Sequence, residues 1–230
     1  MSKMRNVSVV SLIAWGAGLA MVAPVLGGPI WEECRMEDAG KDPPSAQIPN
    51  QLPPGTALEE ICGKFDPLEP ADQQDMFLIQ ICDPAAFSAS ATVTSGSMNL
   101  QLYLFDINGR GLLFNDDAVG FNPAFGNVPT DGSIPPLSVP GYYYIAVTLF
   151  NSVAQDTAAA PLFAASTPTE VSGPDGPGGA NPFATWGGSV TSGQSGEYSL
   201  RMTGTCYAPA PGAAVAMLLG ASPFMRRRRN

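Results

Sequence analysis

Not one of the 230 residues is histidine, and that absence closes off a large part of enzyme chemistry. The Ser-His-Asp and Cys-His arrangements need an imidazole to take the nucleophile's proton near neutral pH. Zinc loses its commonest nitrogen ligand, and the four cysteines show no C-x-x-C spacing that would gather thiolates around a metal. No Gly-rich loop ends in Lys-Ser or Lys-Thr, so the phosphate cradle of nucleotide hydrolases is missing. Cations are scarce, eleven Lys and Arg against twenty Asp and Glu. So few positive charges cannot neutralise a run of phosphates, which excludes nucleic acid as a partner. Helical periodicity is also absent over ten or more residues, except at the two ends of the chain.

Carboxylates remain for chemistry. Asp116 and Asp117 are neighbours in sequence, so on a strand they point to opposite faces. By themselves they cannot make the facing pair, ~5 to 9.5 Å apart, that glycoside hydrolysis needs. The expectation is a protein that is not an enzyme.

The ends of the chain carry addresses. Lys3 and Arg5 precede an apolar stretch from Val7 to Ala23, and Val25-Leu26-Gly27 offers small residues for cleavage. Residues 1–27 therefore read as a secretory signal peptide, with the export machinery and signal peptidase as partners; an uncleaved signal anchor is the alternative. At the other end, Pro209, Pro211 and Gly212 lead into an uncharged segment that stops at Arg226, Arg227, Arg228 and Arg229. Roughly 20 apolar residues are needed to span a bilayer, and only 14 lie between Pro211 and Arg226. The layout suits transient inner-membrane association, with the Arg cluster held on the cytoplasmic side. Residues 207–230 resemble a PEP-CTERM sorting signal. The resemblance implies an exosortase-like processing enzyme and delivery to the cell surface or extracellular matrix; the bland reading is an exposed basic tail. Without the signal peptide and the Arg cluster, five basic residues face all twenty acidic ones, a net charge of −15.

An exported chain with an even number of cysteines reads as a disulfide protein. Cys34, Cys62, Cys82 and Cys206 allow three connectivities. The expected one joins Cys62 to Cys82 across a hairpin and Cys34 to Cys206 to fasten the ends.

The middle of the chain alternates with a period of two. Phe87, Ala89, Ala91 and Val93 interleave with Ser and Thr; Leu100, Leu102 and Leu104 repeat the pattern; so do Ile145 and Val147, and later Tyr198, Leu200 and Met202. Gly, Pro, Asn and Asp punctuate the runs. This is an all-β chain with room for one sandwich. The alternation places Ile145 and Val147 in the core and Tyr144 and Ala146 outward or toward a loop, so that Val147→Asp abolishes folding and Ala146→Asp is tolerated.

Five ordered blocks carry a second resemblance: Asp72-Gln-Gln-Asp75-Met-Phe77, Leu102 to Asp106 followed by Asn108-Gly109, Asn115-Asp116-Asp117, Gly141 to Val147, and Gly196-Glu-Tyr198-Ser-Leu200. The chain is similar to bacterial pre-peptidase C-terminal (PPC-like) domains. That implies a compact, antiparallel, jelly-roll-like β-sandwich over 61–206, mostly without catalysis, with calcium or fibrous and polysaccharide ligands in some members. Residues 28–60 read as an extended, Pro-rich lead-in. The family's short turn is replaced by a long loop, 151–195, rich in Ala, Pro and Gly. Its Phe183 and Trp186 either dock on the sandwich or display a sugar-stacking platform.

One cation site is suggested by spacing. Asp106-Ile-Asn108-Gly-Arg110-Gly111 with Asp117 in twelfth place echoes the oxygen-ligand spacing of a calcium loop. Asn108-Gly109 is equally the favoured two-residue hairpin turn. The candidate calcium ligands are Asp106, Asp116, Asp117 and Asp131. Two functions stand: a structural or adhesive surface protein, or a calcium-assisted module for carbohydrate or protein ligands, surface polysaccharide among them.

Overall fold

The computed structural model describes residues 30–33, 38–66, 72–191 and 193–208. The signal peptide 1–27, Cys34 and the sorting residues Pro209 to Arg229 lie outside the described residues. Among the described residues twelve strands follow in order: β1 (Ile30–Glu32), β2 (Glu60–Phe65), β3 (Gln74–Ile81), β4 (Ser88–Ser97), β5 (Leu100–Asp106), β6 (Gly111–Asn115), β7 (Ala124–Phe125), β8 (Gly141–Leu149), β9 (Ser152–Gln155), β10 (Thr185–Gly188), β11 (Ser195–Thr203) and β12 (Thr205–Cys206). No helix among the described residues is long and apolar enough to cross a membrane.

Ten strands form two five-stranded sheets, ordered β1-β2-β11-β4-β7 and β12-β3-β8-β5-β6. Pairing is antiparallel except between β1 and β2, where Glu32 registers with Cys62. The period of two explains the interior. Phe77, Ile79 and Ile81 of β3, Leu100, Leu102 and Leu104 of β5, Ile145 and Val147 of β8, and Tyr198, Leu200 and Met202 of β11 all point into one core between the sheets. Burying each such side chain contributes ~1.5 to 3 kcal/mol. Trp31 of β1 joins them and donates its indole N–H to Gln47 Oε1 at 2.6 Å.

The other face of the second sheet is not exposed. Residues 151–191 fold back over it as a strap, with β9 and β10 forming a short ribbon in which Gln155 opposes Thr185. Phe183 and Leu162 from the strap close a second core on Tyr103, Phe105, Phe114 and Ala146. The Gly/Pro run within the strap has a packing reason: a Cβ at Gly176 would sit 2.5 Å from the Pro161 carbonyl oxygen and one at Gly178 2.4 Å from that of Ala160. Only glycine lets these backbones touch.

Two expectations are corrected here. Ala146 does face away from the main core, but it is fully buried beneath the strap, so Ala146→Asp places a charge in apolar surroundings rather than in water. The disulfide joins Cys82 to Cys206, with Cα atoms 6.0 Å apart, in place of Cys62 with Cys82 and Cys34 with Cys206. The reason is topological. β2 and β3 are consecutive in sequence yet belong to different sheets, so Cys62 and Cys82 never face each other across a hairpin. β12 instead pairs with β3, with Cys206 opposite Gln80, two residues from Cys82.

Candidate metal centre

At the edge of the sandwich, where the lead-in meets the start of β3, four carboxylates gather. Glu33 follows β1, Asp38 begins the next described segment, Asp72 precedes β3, and Asp75 lies within β3. One oxygen from each of Asp38, Asp72 and Asp75 lies within 4.8 Å of the others, and Glu33 interacts electrostatically with all three. Asp75 shares the core-facing phase of Phe77 and Ile79 and is fully buried.

Three of the four acids repeat one arrangement. Glu33 accepts the Lys64 backbone N–H on Oε2 at 3.1 Å, Asp72 the Asp66 N–H on Oδ2 at 2.5 Å, and Asp75 the Tyr198 hydroxyl on Oδ2 at 2.6 Å. In each the second oxygen, Glu33 Oε1, Asp72 Oδ1 and Asp75 Oδ1, is buried with no hydrogen-bond partner. One oxygen is thus anchored by the protein, and the other is left for something else. The nearby ammonium of Lys64 pairs with Asp66 at 3.3 Å.

Burial pushes the Glu33 carboxyl up to about 7, helped by the charges of Asp38 and Asp72. Burial likewise raises Asp72 to about 6, with Asp38 and Asp66 adding to the effect. Asp75 is raised well above the carboxylate range, chiefly by burial and then by the charge of Glu33. Crowded, desolvated carboxylates are costly unless a cation or protons neutralise them. An all-oxygen, carboxylate-rich set at the domain surface suits a hard divalent ion, and calcium takes six to eight such ligands in flexible geometry. Tyr198, Lys64 and Asp66 would orient the ligands from behind.

The acids expected from spacing are placed elsewhere. Asp106 accepts the backbone N–H groups of Asn108 and Arg110 at 2.8 and 2.9 Å. It closes the hairpin between β5 and β6 through a turn with Ile107 and Asn108 at its centre and Gly109 in the left-handed region, one residue longer than the expected two-residue Asn108-Gly109 turn. Asp131 is held by Ser133 and by the Gly173 N–H at 2.8 Å; burial works to raise its pKa, but these hydrogen bonds outweigh it and leave the group below its ordinary value. Asp131 does group with Glu170 and Asp175. Those acids accept hydrogen bonds from Ser166, Ala164 and Ser172 within the strap, and the bond from Gly173 to Asp131 fastens the strap to the loop ahead of β8. Asp116 and Asp117 are adjacent, each with one buried oxygen that finds no partner. Asp116 is raised to about 6 by burial and then by Asp117, against a hydrogen bond with Gln101. The four expected ligands do not converge in any of the carboxylate groups among the described residues.

Glu33, Asp38, Asp72 and Asp75 escaped the spacing argument because they come from three separate stretches of chain. One signal was present: Asp75 sits in core phase with Phe77, Ile79 and Ile81, where an ionisable group needs a reason. As for Phe183 and Trp186, both dock: Trp186 packs against Phe183 and Tyr103 at centroid distances of 4.9 and 5.1 Å.

No protein-family model matches the chain, and no curated protein is significantly similar to it.

Proposed function

We propose that this is an exported, non-catalytic cell-surface or matrix protein whose jelly-roll-like sandwich is locked in its working form by calcium held between Glu33, Asp38, Asp72 and Asp75. The observation that carries the reading is the convergence of Asp38, Asp72 and Asp75, one oxygen of each within 4.8 Å of the others, beside buried oxygens of Asp72, Asp75 and Glu33 that have no hydrogen-bond partner. A cation there would tie the lead-in strand β1 to β3 and, through Asp75 and Tyr198, to β11 in the facing sheet. That is a structural role: it fixes the edge of an adhesive or scaffolding module and catalyses nothing. The absence of histidine and the acidic surface support it. Export by the signal peptide, a transient stop in the inner membrane and processing at the Pro209 to Arg229 segment would deliver the module to the surface.

Calorimetry and thermal melting test the proposal. Calcium should raise the melting temperature of the wild type, by about 2.7 kcal/mol of stability at a hundredfold excess over Kd. Asp75→Asn keeps the shape but removes a ligand charge, and should melt no lower than wild type in chelator while losing most of the calcium gain. An unchanged melting temperature with added calcium, and no heat of binding, would sink the idea.

A further inference from the structure

Four polar side chains stand in one row across the strap-facing side of the second sheet. Gln74 of β3 pairs in register with Thr148 of β8, and Thr148 pairs on its other side with Gln101 of β5. Asp116, the residue after β6, completes the row through a side-chain hydrogen bond with Gln101. All four are buried. The alternation that sends Leu100, Leu102 and Val147 into the main core sends Gln101 and Thr148 to the opposite face. There Tyr103, Phe114 and Phe163 wall a cavity of ≈ 120 Å³ against Gln101. Three oxygens of the row have no hydrogen-bond partner: Thr148 Oγ1, Gln101 Oε1 and Asp116 Oδ1. A buried polar group left unpaired costs ~1 to 3 kcal/mol, and Val and Leu would fill the places of Thr148 and Gln101 without that penalty.

The chemistry of the row supplies a reason for it. A hydroxyl is a nucleophile and a carboxamide carbon an electrophile, and here they stand on directly opposed residues, whose Cβ atoms lie ~4.5 to 5.5 Å apart in an antiparallel pair. Holding the two side by side replaces the random encounter that makes such an attack slow in water. We propose that Thr148 and Gln101 join in an intramolecular ester, with Asp116 moving the proton. Thr148 Oγ1 bonds to Gln101 Cδ, and the carbonyl electron pair moves onto Oε1 and returns as the Cδ–Nε2 bond breaks. The hydroxyl proton passes through the Asp116 carboxyl to the departing nitrogen, which leaves as ammonia, and Asp116 ends as it began. Nothing is oxidised or reduced, and no outside reagent is consumed. The aromatic cover keeps water from the finished ester. Gln74, on the far side of Thr148, has its amide nitrogen committed to Ser152 Oγ at 2.9 Å, so Gln101 is the residue that reacts. The link turns a strand pairing held by hydrogen bonds into a covalent one, and it is independent of the calcium reading.

Intact mass and peptide mapping of the exported protein test this directly. After reduction of disulfides the wild type should be lighter than its residues require by one molecule of ammonia. A digest should contain a branched peptide that joins Gln101 to Thr148 and that hydroxylamine opens. Thr148→Val keeps the shape of the side chain but has no nucleophile, so it should fold and show the full mass. Asp116→Asn should also fold, as circular dichroism will report for both variants, and should form the link about a hundredfold more slowly, the effect of losing a positioned proton donor. Full mass in the folded wild type overturns the proposal. So does a loss of ammonia that persists in Thr148→Val, or a branched peptide that runs through Gln74. A link that forms at the wild-type rate in Asp116→Asn overturns the role given to Asp116.

Discussion

Asp75 is in the same core-facing phase as Phe77 and Ile79, yet it carries a carboxylate that bonds Tyr198 through one oxygen only. Its neighbours Glu33 and Asp72 share the predicament, and the three define a pH dependence whose sign can be worked out. Their folded pKa values lie above ordinary ones, Glu33 at about 7 against 4.5 and Asp72 at about 6 against 3.8. Without metal, the folded state therefore holds more protons than the unfolded state across the window from about 4 to 7. Stability contributed by these groups falls as pH rises through that window. Asp116, raised to about 6, adds with the same sign. Melting in chelator from pH 4.5 to 8 should show the decline, and calcium should oppose it most at the alkaline end, where the ligands are deprotonated. A metal-free melting temperature that climbs steadily across the window would contradict the assignment.

At the scale of the element, β8 is the informative strand because both of its faces are buried, against different partners. Ile145 and Val147 meet the sandwich core, whereas Tyr144 and Ala146 meet the strap. Val147→Asp and Ala146→Asp should both cost about 3 kcal/mol or more, since each buries an unpaired charge. The consequences differ. Val147→Asp disrupts the contact between sheets and should abolish folding, while Ala146→Asp expels the strap and should leave the sandwich strands protected. Hydrogen exchange separates the two: in Ala146→Asp the amides of β9 and β10 should exchange fast while those of β3 and β5 stay slow. Slow exchange throughout Ala146→Asp would mean that the strap does not pack on Ala146.

For the whole molecule, the Cys82–Cys206 bridge ties β3 to the last strand across 124 residues of sequence. A loop of that length gives a chain-entropy stabilisation of about 4 to 5 kcal/mol. Peptide mapping without reduction should recover Cys82 linked to Cys206, and native protein should resist alkylation at all four cysteines. Recovery of a Cys62–Cys82 peptide would reject the placement of β2 and β3 in different sheets. Export makes a separate prediction. Deleting Arg226 to Arg229 removes charges that resist crossing the bilayer at ~2.5 to 3.5 kcal/mol each. The altered chain should escape to the medium with its tail intact, as intact mass will report. Unchanged processing and surface retention would leave the tail as a basic end without a sorting role.

Strand faces could be read from the order of residues alone. Leu100, Leu102 and Leu104, Ile145 and Val147, and Tyr198, Leu200 and Met202 follow a period of two, and that period follows from backbone geometry without any knowledge of neighbours. That a turn follows Asp106 was legible for the same local reason, although its centre falls on Ile107-Asn108 rather than Asn108-Gly109. Tertiary structure alone decided three things. The long loop became a second wall, because the aromatic residues of β5 and β6 left a face that only residues far along the chain could cover. Cys82 found Cys206 and not Cys62, because consecutive strands entered different sheets. Four acids from three stretches of chain converged, because the lead-in backbone at Gly40 and Gln47 closes on the start of β3. Pairing over long distances brings together residues whose spacing in sequence carries no trace of their spacing in space, and in this protein the candidate site is made of such residues.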